Sequence, residues 1–94
     1  MNIIFRVNET KIFELIMSKD NSKFDDIIIS DKFMARLVFP KIFNNPTLGD
    51  LLVILRLYAG TTEKNLTLNE IAKENDYHID FIEFKQNLNI LFEK

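Results

Sequence analysis

The chain is predicted to fold as a mainly α domain with a small β element, an α+β arrangement within a single domain of 94 residues. Three observations predict it. Residues 47–60 form a long apolar run between a capping threonine and a glycine, and residues 67–70 spell a second helix start. Two short β-branched runs, Asn2–Val7 and Asp26–Ile29, supply the strands.

Taken in order, Asn2-Ile-Ile-Phe-Arg-Val7 reads as a strand, and Asn8 then caps a helix through about Lys19, with Ile12, Phe13, Leu15 and Ile16 near one face. Asp20-Asn21-Ser22-Lys23 is a loop signal. The strand at Asp26–Ile29 is expected to pair with the first strand. A two-stranded ribbon is marginal alone, so it has to lie on helices. Ser30 or Asp31 caps a helix whose Phe33, Met34, Leu37 and Val38 share an arc, and Pro40 stops it. Lys41-Ile42-Phe43 makes a single turn before the break at Asn44-Asn45-Pro46. These pieces form a β-α-β-α part over residues 1–46.

Residues 47–60 are expected to be the centre of the fold. Leu48, Leu51, Leu52, Leu55, Tyr58 and Ala59 recur at helical spacing, while Val53, Ile54 and Leu57 fill the other side. Burying one such side chain contributes roughly 1.5–3 kcal/mol, so a helix apolar nearly all round is predicted to be enclosed. Thr67-Leu68-Asn69-Glu70 fits a capping box and opens a helix to about Asn75. Asp76-Tyr77-His78 turns the chain, and Asp80 with Glu83 starts a last helix that runs to the end. On that helix Phe81, Phe84, Leu88, Leu91 and Phe92 gather on one face; Ile79, Ile82 and Ile90, with Glu83 and Gln86, fall opposite. A helix apolar on two sides is either sandwiched or offers one side to a partner.

The composition narrows the chemistry. With 47% hydrophobic and 28% charged residues the chain matches an ordinary globular protein. It has no cysteine, which removes disulfides, thiolate metal sites and thiol nucleophiles and fits a reducing compartment. Met1-Asn2-Ile3-Ile4-Phe5 lacks a basic n-region, so no secretion signal and no membrane association are expected, and the cytoplasm is the expected location. The formal net charge is −2: residues 1–47 hold seven Lys/Arg against six Asp/Glu, residues 48–94 five against eight. Neither half has the cationic excess that binding to phosphate backbones requires. His78 is the single histidine and reads as a solvated turn residue beside Asp76 and Asp80. Asp25-Asp26 reads as a charged strand edge. Gly49 and Gly60 cannot build a phosphate loop, and Ser18, Ser22 and Ser30 have no triad partners. The expectation is a protein that is no enzyme, with no cofactor and no metal.

The stretch Leu68-Asn-Glu-Ile71-Ala72-Lys-Glu-Asn75-Asp76-Tyr77-His-Ile-Asp80-Phe-Ile82, followed by Leu88-Asn-Ile-Leu91-Phe-Glu-Lys94, resembles the helix-turn-helix core of winged-helix proteins. The resemblance covers residues 47–94 and implies a trihelical unit in which Ile71-Ala72 pack on a third helix carrying Leu88 and Leu91. Phe39-Pro40-Lys41-Ile42-Phe43 with Leu51 to Tyr58 is also similar to the N-terminal domains of phage and plasmid replication initiators. Asp76 stands where that core usually has glycine, Asn75 where it has an apolar residue, and the wing would follow Lys94. The would-be recognition helix opens with Asp76, Asp80 and Glu83, which phosphates would repel.

Those acids favour a small regulatory or inhibitory protein that acts by protein–protein contact, of phage or mobile-element origin and directed at a nucleic-acid-processing partner whose phosphate ligand the carboxylates imitate. Its contact residues would be Asp76, Ile79, Asp80, Ile82, Glu83, Gln86 and Ile90. The alternative is a DNA-binding helix-turn-helix regulator or replication-initiator domain, with Arg36, Lys41, Lys64, Lys73 and Lys85 on the DNA. A second alternative is a structural subunit of a homo-oligomer, such as a homodimer.

Overall fold

A computed structural model describes residues 1–61, 65–82 and 87–94. It contains five strands, β1 (Asn2–Val7), β2 (Thr10–Met17), β3 (Phe24–Ile29), β4 (His78–Phe81) and β5 (Leu88–Glu93), and three helices, α1 (Lys32–Val38), α2 (Leu48–Ala59) and α3 (Leu68–Glu74). The strands form one antiparallel sheet in the order β3-β2-β1-β5-β4. The expectation of a mainly α fold is therefore overturned: the sheet is the backbone of the domain, and helices cover one of its faces.

Three local expectations change with it. The helix expected from Asn8 to Lys19 is β2, which pairs with β1 through a two-residue loop, Asn8-Glu9, between partners Val7 and Thr10. Asn8 takes φ +55°, which asparagine tolerates in a tight hairpin. The helical look of this stretch comes from a bulge: Arg6 pairs with Lys11 but Phe5 pairs with Phe13, leaving Ile12 as the extra residue. The bulge shifts the alternation by one, so Ile12, Phe13, Leu15 and Met17 are all buried. The strand at Phe24–Ile29 forms, but it pairs with β2 and not with β1. It lies at the sheet edge, with Asp25 and Asp26 exposed along it.

The third change decides the function argument. Among the described residues the last helix expected from Asp80, and with it the trihelical unit over residues 47–94, does not form; β4 and β5 pair as strands, and β5 joins β1. Leu88, Ile90 and Phe92 alternate with Asn89, Leu91 and Glu93, a period of two that places the first three in the core. Asn75-Asp76-Tyr77 supplies the reversal, with Asp76 and Tyr77 both left-handed at φ +53° and +61°.

The helices start as expected. Asp31 caps α1 by accepting from the Met34 amide, and α1 ends at Val38 just before Phe39-Pro40. Thr47 and Asp50 form a reciprocal capping box on α2, and Thr67 and Glu70 form the same on α3. The three helices pack on the sheet face that carries Ile3, Phe5, Phe13, Leu15 and Ile90, all fully buried. Phe5 stacks on Phe13 with ring centroids 4.2 Å apart, and Phe39 meets Phe13 and Phe24 edge-on at 6.5 Å. From α2, Leu51 and Leu55 complete this core. The expected enclosure of α2 is corrected: a sheet on one side leaves the other side open, and Val53 and Leu57 stand 63% and 70% exposed.

Candidate functional site

The residues first expected to contact a partner do not share a surface. Ile79 and Ile90 are cross-strand partners in the core, 3% and 0% exposed. Asp80 follows Ile79 on β4 and so lies on the opposite face of the sheet, where its Oδ1 is 2.8 Å from His78 Nε2. Asp76 sits in the turn before β4, and Ile82 just beyond that strand is 73% exposed. Glu83 and Gln86 lie outside the described residues. The acidic helix start proposed to imitate phosphates is therefore not formed. Of the cations proposed to grip DNA, Lys64 and Lys85 also lie outside the described residues. Arg36 rests over the Phe43 ring at 5.2 Å, Lys41 pairs with Asp50 at 3.2 Å, and Lys73 is exposed on α3.

The sheet face away from the helices is mixed in character. Register places Ile28, Glu14, Ile4, Leu91 and His78 in one row across all five strands, beside a row of Lys11, Arg6, Asn89 and Asp80. An open groove of about 420 Å³ crosses it, lined by Arg6, Asn8, Glu9, Lys11, His78, Asn89 and Leu91. Lys11 pairs with Glu14 at 3.3 Å beside it, and His78 Nε2 is hydrogen-bonded to Asp80 Oδ1. Among the described residues no hydroxyl or thiol lines the groove. Among the described residues no three His, Asp or Glu side chains converge as metal ligands. A second groove, of about 290 Å³, runs beside the β3 edge between Phe24–Ile27 and Asn45-Pro46.

The outer face of the helix layer is different. Ala35 and Val38 turn α1 inward, which leaves Phe33 and Leu37, one helical turn apart, 72% and 56% exposed. Leu51 and Leu55 turn α2 inward and leave Val53 and Leu57 outward with the same spacing. Phe43, 42% exposed, lies beneath the Arg36 guanidinium. The helices are tied together at two places. Tyr58 donates its hydroxyl to the Val38 carbonyl at 3.1 Å, and Lys41 reaches Asp50. The Asp50 carboxyl is held below its ordinary value, first by the Thr47 amide it accepts from and then by Lys41. Large exposed apolar residues scattered singly need no explanation, whereas a turn-spaced pair on each of two helices does.

No family model, curated protein or solved structure matches this chain.

Sequence reasoning missed these residues because helical spacing alone does not say which arc faces inward. Val53 and Leu57 belong to the helix expected to be enclosed, and the arc of Phe33, Met34, Leu37 and Val38 does not separate the buried Val38 from the exposed Phe33 and Leu37. The available signal was excess: a two-layer domain covers one arc of each helix, and α2 has more large apolar residues than one arc holds. No helix among the described residues is long and apolar enough to cross a membrane.

Proposed function

We propose that this is a non-enzymatic regulatory protein that acts by protein–protein contact, and that the contact surface is the outer face of the helix layer. The observation that carries the reading is the exposure of the turn-spaced pairs Phe33/Leu37 on α1 and Val53/Leu57 on α2, helices whose C-terminal ends the Tyr58 hydrogen bond ties together. An apolar surface of this kind gains by leaving water against a protein of complementary shape. Nucleic acid is the weaker fit, because phosphate binding asks for cations at the centre of the patch, where these side chains are uncharged.

Site-directed photo-crosslinking in extract of the source cells tests it. A crosslinker replacing Phe33 or Leu57 is expected to yield protein adducts, and one replacing Ile28 on the opposite sheet face is not. Adducts at position 28 alone, or with nucleic acid at 33 and 57, overturn the reading.

A further inference from the structure

We propose that the groove on the open face of the sheet binds the carboxylate of a small organic acid, with Arg6 as the group that grips it. The inference stands apart from the contact surface on the helix layer, which lies on the other side of the sheet. Arg6 and Lys11 are register partners on β1 and β2, and like charges directly opposite one another weaken a sheet. Lys11 is relieved by Glu14, whose Oε1 lies 3.3 Å from its Nζ. Arg6 has no such relief. Its other register partner is the neutral Asn89, and among the described residues its guanidinium makes no ion pair and no hydrogen bond. On the central strand of the sheet, a fork of N–H donors thus stands at the groove for an anion to take.

The walls around Arg6 are already held. On one side the Asn8 amide donates to the Asn87 carbonyl at 2.6 Å, the Asn87 Nδ2 to the Asn8 Oδ1 at 2.9 Å, and the Asn89 Nδ2 to the Asn8 carbonyl at 3.2 Å. On the other, His78 Nε2 is hydrogen-bonded to Asp80 Oδ1 at 2.8 Å. Leu91, the partner of His78 across β4 and β5, adds an apolar wall. A ligand entering the groove therefore has chiefly the Arg6 side chain to order, which keeps the entropic cost of binding low. The groove volume of about 420 Å³ lies within the range of small-molecule sites.

The same surroundings select the ligand. A planar guanidinium meets a carboxylate through two parallel N–H···O bonds. Glu9 lines the groove, and Glu14 and Asp80 stand beside it. A group with one negative charge is repelled by these carboxylates less than a phosphate monoester, which carries about two. Leu91 gives the body of the acid an apolar contact.

An NMR titration of the full chain with sodium benzoate at constant ionic strength tests the proposal. The backbone amides of Arg6, Asn89 and Leu91 and the Arg6 side-chain Nε–Hε signal are expected to shift together and to saturate. Arg6→Gln is expected to raise the Kd at least about tenfold through the loss of charge-assisted hydrogen bonds. Arg6→Lys keeps the charge but not the fork and is expected to recover part of that loss. Leu57→Glu, on the helix layer, leaves binding unchanged. Circular dichroism of each variant confirms that the fold is kept, and the Arg6 Nε–Hε signal of the parent chain reads the contact without any substitution. Benzyl alcohol, which lacks the charge, is expected to give no saturable shift, and inorganic phosphate to bind more weakly than benzoate. The proposal is overturned by an Arg6 signal that does not respond, by a Kd indifferent to Arg6→Gln, or by benzyl alcohol or phosphate binding as tightly as benzoate.

Discussion

The Tyr58 hydroxyl donates to the Val38 carbonyl at 3.1 Å, so the last turn of α2 is fastened to the last residue of α1. The same ring packs on Phe81 of β4 with centroids 4.9 Å apart. One side chain thus joins both helices to the sheet, and Tyr58→Phe removes the hydrogen bond while keeping the packing. The expected loss is about 1 kcal/mol, read from urea unfolding. Burial also raises the Tyr58 phenol above its ordinary value of 10.0. The folded chain therefore holds this proton more tightly than the unfolded chain, and stability falls as pH rises past 10 toward the raised value. In Tyr58→Phe that alkaline slope is expected to be shallower.

Asp20 organises the β2–β3 loop. Its carboxylate accepts from the hydroxyls of Ser22 at 2.7 Å and Ser18 at 2.8 Å and from the Ser22 amide at 3.1 Å. These bonds, that from the Ser22 hydroxyl foremost, hold its pKa at about 2 against an ordinary 3.8. The lowered value means that the ionised form stabilises the fold above pH 3.8 and that this contribution is lost as pH falls toward about 2. A carbon-detected NMR titration is expected to place Asp20 near the bottom of the carboxylate range. Asp20→Asn is expected to lower the melting temperature at neutral pH and to flatten the acid limb between those two values.

Ile90 and Ile82 separate core from surface within one hairpin. Ile90 is fully buried opposite Ile79 and Phe5, so Ile90→Ala is expected to cost about 2–5 kcal/mol through the cavity it leaves. Ile82 is 73% exposed, and Ile82→Ser is expected to stay within about 0.5 kcal/mol of the parent. Chemical denaturation of the two variants measures both. Equal effects would contradict the placement of β5 between β1 and β4.

What was legible in the sequence was local. Thr47, Thr67 with Glu70, and Asp31 satisfy amides within three residues, so their caps do not depend on the rest of the fold. The strand Asn2–Val7 was equally readable. What could not be read from spacing is where β1 finds its partners: β2 and β5 both carry helix-compatible apolar spacing, and only pairing on both sides of β1 makes them strands. In β2 the Ile12 bulge hid the alternation, whereas in β5 the alternation of Leu88, Ile90 and Phe92 stood in plain view and was outweighed by the helical arc of Phe81, Leu88 and Leu91. The candidate site followed the same error. Reading a helix from Asp80 to the end groups Ile79, Asp80 and Ile90 by helical faces that the hairpin does not have, and the separate expectation that α2 is enclosed hides Val53 and Leu57.

Gly60 closes α2 in the left-handed region, at φ +68° and ψ +20°, and its amide donates to carbonyls of the last turn. A Cβ built on Gly60 meets nothing within 4 Å, so a substitution there faces no steric obstacle from the surroundings. The whole effect of Gly60→Ala then lies in the backbone: a residue with a Cβ in this conformation costs roughly 1–2 kcal/mol, partly offset by the lower entropy of the unfolded alanine chain. The expected outcome is a net destabilisation of about 1 kcal/mol with an unchanged denaturant m-value, measured by urea unfolding. Gly60→Asn, whose side chain tolerates the left-handed region, is expected to recover part of that loss. If alanine were neutral, the chain would leave α2 by another route, and the polar connection after Gly60 would not start from a left-handed residue.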